Sequence, residues 1–137
     1  LDDFAIPSVT DKIAYGRYLA TDVFDCGSCH SESYETYNYL EPEKSPGFFG
    51  GGCLIADEEF NKATAANLTP SKAFGLGEWT EEQFRTAVKS GIRKDGAMLK
   101  HQMPRFAQLS DEEVSSIWAY LRTVPVLENN VQAVAQH

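Results

Sequence analysis

Cys26-Gly27-Ser28-Cys29-His30 constrains this chain more than any other run of residues. A Cys-x-x-Cys pair followed at once by histidine admits three chemistries. A thiol-redox pair normally sits at a helix start after a strand, within a βαβ pattern. Here Ala14 to Phe24, just upstream, has a helical pattern instead. A zinc site needs further ligands at suitable spacing. Cys26, Cys29, His30 and Cys53 could supply four, but His30 adjoins Cys29, and no second Cys-x-x-Cys or His-x-x-x-His exists. The third chemistry is covalent haem attachment. Two thiols add across the vinyl groups, the two-residue spacer sets their separation, and His30 stands beneath the iron. The 3 cysteines are an odd number, which excludes a complete set of intramolecular disulfides.

The rest of the composition narrows the field. With 12 basic and 20 acidic side chains the net charge is −8. That opposes nucleic-acid binding, which needs a basic footprint, and docking on an anionic membrane surface. A charged partner should present a basic face. No run approaches the ~18 apolar residues of a membrane span. The 137 residues suit one domain, with a core over about 10–125 and a tail at 126–137. Thioether formation follows export, so a haem-bearing chain is expected to be periplasmic, its signal peptide removed or the domain excised from a larger protein.

Three segments carry helical period. The first spans about Asp11 to Phe24, with Thr10 as N-cap and Ile13, Gly16, Ala20 and Val23 on one face beside Leu19. Gly16 inside a helix implies close approach of another helix. Thr80-Glu81-Glu82-Gln83 and Ser110-Asp111-Glu112-Glu113 are capping boxes that open the other two. Gly91 should end the second and Pro125 follows the third. From His30 to Trp79 the signals are turns, with no sustained strand alternation. A buried prosthetic group would supply core that such loops could wrap.

The far face of an iron held by His30 has four candidate ligands, Met98, His101, Met103 and His137, or stands open. Pro104 stiffens the backbone after Met103, while Phe106 and Leu109 provide apolar surroundings. Trp79 is a candidate donor to a haem propionate, against plain packing. Asn67 could reach a propionate or cap a turn. Pro46 or Pro42 could offer a carbonyl to the free ring nitrogen of His30. Cys53 reads as a small buried apolar residue.

Taken in order, Cys26-Gly27-Ser28-Cys29-His30, Met103-Pro104-Arg105-Phe106, Leu109-Ser110-Asp111-Glu112-Glu113 and Trp118-Ala119-Tyr120-Leu121 resemble a class I cytochrome c. Asn67-Leu68-Thr69-Pro70, Gly75-Leu76-Gly77-Glu78-Trp79-Thr80 and Phe84-Arg85-Thr86-Ala87-Val88 are similar to haem domains in cytochrome c subunits of bacterial periplasmic alcohol, aldehyde and gluconate dehydrogenases. The resemblance implies an all-α fold of three or more helices with long loops around one haem c, its first and last helices crossing near Gly16 and Tyr120. It implies Met103 as distal ligand and electron transfer between a periplasmic dehydrogenase and an acceptor such as an oxidase, with no catalysis by this chain. The alternative keeps the haem but opens the distal side to peroxide, gas or sulfur-compound chemistry. Those subunits usually carry several haems, whereas this chain has one Cys-x-x-Cys-His.

Overall fold

The computed structural model describes residues 6–131. Among the described residues four α-helices carry the architecture: α1 (Lys12–Tyr18), α2 (Cys26–Cys29), α3 (Glu81–Ser90) and α4 (Asp111–Leu121). A π-helical stretch, Leu19–Val23, continues α1, and Pro42–Lys44 forms a 3₁₀ turn.

α1 and α4 cross as expected, and the reason lies in one missing side chain. A Cβ at Gly16 would overlap the Ser116 carbonyl and stand 3.0 Å from the Tyr120 Cβ. The crossing brings Leu19, Ala20, Val114, Ile117, Tyr120 and Leu121 into one core with Phe48 and Phe49. A second tie reinforces it. Both nitrogens of the Arg17 fork, Nε and Nη2, grip the Glu43 carboxylate, the latter at 3.0 Å, and the Tyr120 hydroxyl donates to Glu43 Oε2 at 2.8 Å. The guanidinium holds the Glu43 carboxyl down at about 2, against the pull of partial burial, and the Tyr120 hydroxyl adds to the effect.

Both capping boxes form. Thr80 Oγ1 accepts from Gln83 N–H at 3.1 Å and Ser110 Oγ from Glu113 N–H at 3.1 Å, with the reciprocal side-chain bonds present. Gly91 ends α3 in the left-handed conformation, φ 74°.

The structure corrects the first helix in two respects. Asp11, not Thr10, caps it: Asp11 Oδ1 accepts from Ala14 N–H at 3.3 Å, while the Thr10 hydroxyl pairs with Ser8. The expected apolar face also breaks up. Ile13 and Val23 are 48% and 45% exposed. At Val23 the reason is the π-helical stretch, which widens the turn so that the 3.6-residue period no longer predicts which side faces inward. Gly16, Leu19 and Ala20 of that face are buried as expected, and Thr21 is buried with them.

The all-α expectation is likewise corrected. Leu54–Ala56 (β1) pairs antiparallel with Lys62–Thr64 (β2), with Ile55 opposite Ala63. Three-residue strands are too short for alternation to be read from sequence. Their turn is organised by Asp57, whose Oδ1 accepts from the N–H groups of Glu59 (2.9 Å) and Asn61 (2.8 Å). Beyond α4, Leu127 and Asn129 are hydrogen-bonded to the body of the protein. No described helix is long and apolar enough to cross a membrane.

Candidate functional site

The Cys-x-x-Cys-His run folds into a single helical turn. Asp25, at φ 54°, turns the chain into α2, and His30 N–H closes the turn on the Cys26 carbonyl at 2.9 Å. Residues three apart on a helix lie on one face. Cys26 and Cys29 therefore project together, with His30 next in line.

His30 is buried, and its ring is held by a backbone carbonyl. Nδ1 lies 2.8 Å from the Ala66 oxygen. A carbonyl only accepts, so Nδ1 carries the proton and the Nε2 lone pair is left free. No hydrogen-bond partner for Nε2 exists among the described residues. Burial lowers the imidazole pKa, and the Ala66 carbonyl pulls back only partly. A neutral, oriented imidazole with one free lone pair is the form that ligates a metal.

The proline expectation fails here. The Pro46 carbonyl accepts from Glu32 N–H and the Pro42 carbonyl from Ser45 N–H, so the chain supplies Ala66 instead. That carbonyl has no side-chain signature. The signal lay next door, in Asn67. Its Nδ2 donates to the Leu127 carbonyl (2.8 Å) and the Asn129 carbonyl (3.1 Å), and its Oδ1 accepts from Thr69 N–H (2.9 Å) and Thr69 Oγ1 (2.7 Å). Both amide hydrogens are thus engaged within the protein. Asn67 fixes the segment that carries the Ala66 carbonyl, and a propionate would have to displace Leu127 or Asn129 to reach it.

The other sequence-selected residues fall in distinct places. Met103 is half-buried in the loop between α3 and α4, its N–H bonded to the Lys100 carbonyl at 3.1 Å. Phe106 from the same loop packs edge-on against Phe24, just ahead of α2, with ring centroids 5.5 Å apart. Met98 is 69% exposed, at an isolated bridge to Ile92. His101 is exposed and its Nε2 pairs with Asp57 Oδ2 at 2.8 Å. His137 lies outside the described residues. Trp79 is half-buried against the core, and its indole N–H makes no hydrogen bond among the described residues. Cys53 is buried.

The two rival chemistries fit this arrangement poorly. Burial, with the Cys29 sulfur adding to it, pushes the Cys26 thiol up to about 12. A redox-active pair needs the opposite shift. Among the described residues, no three His, Cys, Asp or Glu side chains converge as metal ligands, so Cys53 does not complete a zinc set. The Tyr34 hydroxyl lies 3.0 Å from Cys29 Sγ. Tyr37 is buried beside Gly27, its hydroxyl without a hydrogen-bond partner among the described residues.

No protein-family model matches the chain. Individual proteins do. It is 38% identical over 114 residues to the fructose dehydrogenase cytochrome subunit of Gluconobacter japonicus, covering 82% of this chain and 21% of that protein. The cytochrome c subunit of the quinone alcohol dehydrogenase of Gluconobacter oxydans is 34% identical over 110 residues, 79% of this chain and 20% of its own length. The gluconate 2-dehydrogenase cytochrome c subunit of Pantoea cypripedii is 32% identical over 119 residues, 84% of this chain and 24% of its own length. The chain therefore matches between a fifth and a quarter of each of these relatives. It is a cytochrome c homologue, related to one segment of the cytochrome c subunits of bacterial dehydrogenases.

Proposed function

We propose that this chain is a single-haem electron-transfer domain with His30 and Met103 as axial ligands. The observation that carries the reading is His30 itself: buried, neutral, its Nδ1–H fixed on Ala66, its Nε2 lone pair free, in the residue after two thiols on one helical turn. The donor set fits a c-type haem. Cys26 and Cys29 would bond the porphyrin and His30 would bind the iron from one side, with the half-buried Met103 thioether on the other. Iron in that group would supply the one-electron chemistry, and methionine ligation favours its reduced state. The chain's own work is to hold His30 in one tautomer, to keep water out with Phe24, Phe106 and Leu109, and to keep the iron's surroundings rigid. Trp79, whose indole N–H has no hydrogen-bond partner among the described residues, is the residue we assign to a propionate. Asn67 acts at one remove, through Ala66.

The relatives' names describe cytochrome subunits of dehydrogenases. By that similarity the chain would take electrons from a periplasmic dehydrogenase and pass them to an acceptor such as an oxidase, without catalysing a reaction itself. The net charge of −8 favours a partner with a basic docking face. The haem environment would be a cytochrome c fold whose loops close over the porphyrin.

The test is the ferric spectrum of the protein matured through an export pathway that attaches haem. A low-spin spectrum with the near-infrared methionine-to-iron band, lost in Met103→Ala, is the expected result. A high-spin spectrum would instead support an open distal site and peroxide, gas or sulfur chemistry.

A further inference from the structure

Arg105 lies two residues beyond Met103, and its guanidinium is used entirely on backbone. Nη1 donates to the Lys100 carbonyl at 3.2 Å and to the Met103 carbonyl, and Nη2 donates to the Leu99 carbonyl. No carboxylate pairs with it among the described residues. The loop it gathers is fastened to the end of α3 on both flanks: Leu99 N–H donates to the Gly91 carbonyl at 2.7 Å and Phe106 N–H to the Val88 carbonyl at 2.9 Å. Gly91 also makes room for the guanidinium. A Cβ there would overlap Arg105 Nε and stand 2.7 Å from its Cδ.

We propose that Arg105 is the positioning residue of the distal side, its fork fixing the Leu99–Met103 backbone so that the Met103 thioether is presented to the iron without reorganisation of the loop. This rests on Met103 being the distal ligand. A planar guanidinium offers several donors in fixed directions, whereas a lysine ammonium is a single compact charge on a flexible stem. Charge-assisted bonds to three carbonyls exceed what neutral donors would give. An external ligand can reach the iron only when Met103 swings away. A loop stapled in the ligating geometry makes that open state rare, and apparent affinity for the external ligand falls with its population.

The experiment compares ferric haem-loaded wild type, Arg105→Lys and Arg105→Gln by titration with imidazole. Imidazole affinity should rise about tenfold in Arg105→Lys and further in Arg105→Gln, as the open state becomes more populated. The near-infrared methionine band should weaken in the same order, while haem content and far-ultraviolet dichroism stay as in wild type. A role confined to stability would lower the melting temperature and leave imidazole affinity unchanged, and that result overturns the proposal. Should Arg105→Gln fail to take up haem, Arg105→Lys decides alone: wild-type affinity and full band intensity overturn it. If the wild type itself has no methionine band, or keeps it in Met103→Ala, the ligand assignment is what has failed, visible before any Arg105 variant is measured.

Discussion

Met103 and Met98 are chemically the same side chain, and burial separates them. Met98 stands 69% exposed, while Met103 is half-buried in a loop pinned to α3. Met98→Ala should therefore leave the ferric near-infrared band intact, whereas Met103→Ala should remove it. The spectra of the two variants side by side check this. Asn67 makes four hydrogen bonds from a site that is 2% exposed. Asn67→Ala leaves the buried Thr69 N–H without its acceptor and frees the segment that orients His30. A loss of about 1–3 kcal/mol is expected, since a buried group left unsatisfied costs its full desolvation. Urea denaturation at neutral pH measures it. Sequence alone exposed the Cys26–His30 run, because its side chains form a motif, and offered Met103 as one of several distal candidates. It could not show Ala66, which contributes only a carbonyl, nor the guanidinium of Arg105, whose partners are all backbone.

At the level of elements, α3 and α4 were readable because both begin with a capping box, a signal written within four residues. Ser110→Ala removes that start from α4 and should cost about 1 kcal/mol, the usual worth of an N-cap, in the same denaturation assay. That another helix approaches α1 closely was also readable, through Gly16, and the family resemblance pointed to α4 as that helix. Gly16→Ala would push a methyl into the Ser116 carbonyl. Its overpacking cost, about 1–3 kcal/mol, should outweigh the better helix propensity of alanine and lower the melting temperature. The π-helical stretch and the β1–β2 hairpin escaped the sequence for opposite reasons. The first breaks the period that reading relies on, and the second is too short to have one. The 3₁₀ turn at Pro42–Lys44 owes its place to Glu43, a contact across 26 residues to Arg17 and 77 to Tyr120 that no local pattern announces. Its folded carboxyl sits near 2, below the ordinary 4.5. A depressed carboxylate stabilises the fold fully above the ordinary value, and that stabilisation fades as pH falls toward 2. Wild type should therefore be more stable than Glu43→Gln at pH 7, by about 1 kcal/mol for a partly exposed, hydrogen-bonded pair. The gap in melting temperature between them should close between pH 4.5 and 2.

On the scale of the whole molecule, a chain of 137 residues carries short helices, a small hairpin and long loops, joined by a modest aromatic and aliphatic core. The homology covers most of this chain but only a fifth to a quarter of the fructose, alcohol and gluconate dehydrogenase subunits it resembles. Everything proposed for the molecule depends on a porphyrin bonded to Cys26 and Cys29. Intact mass of the protein, purified after export with haem-attachment machinery, measures that directly. The expected mass is the polypeptide plus one haem, and the bare polypeptide mass for a variant with Cys26 and Cys29 changed to serine. Wild-type protein recovered colourless, at the mass of the unmodified polypeptide, would contradict it.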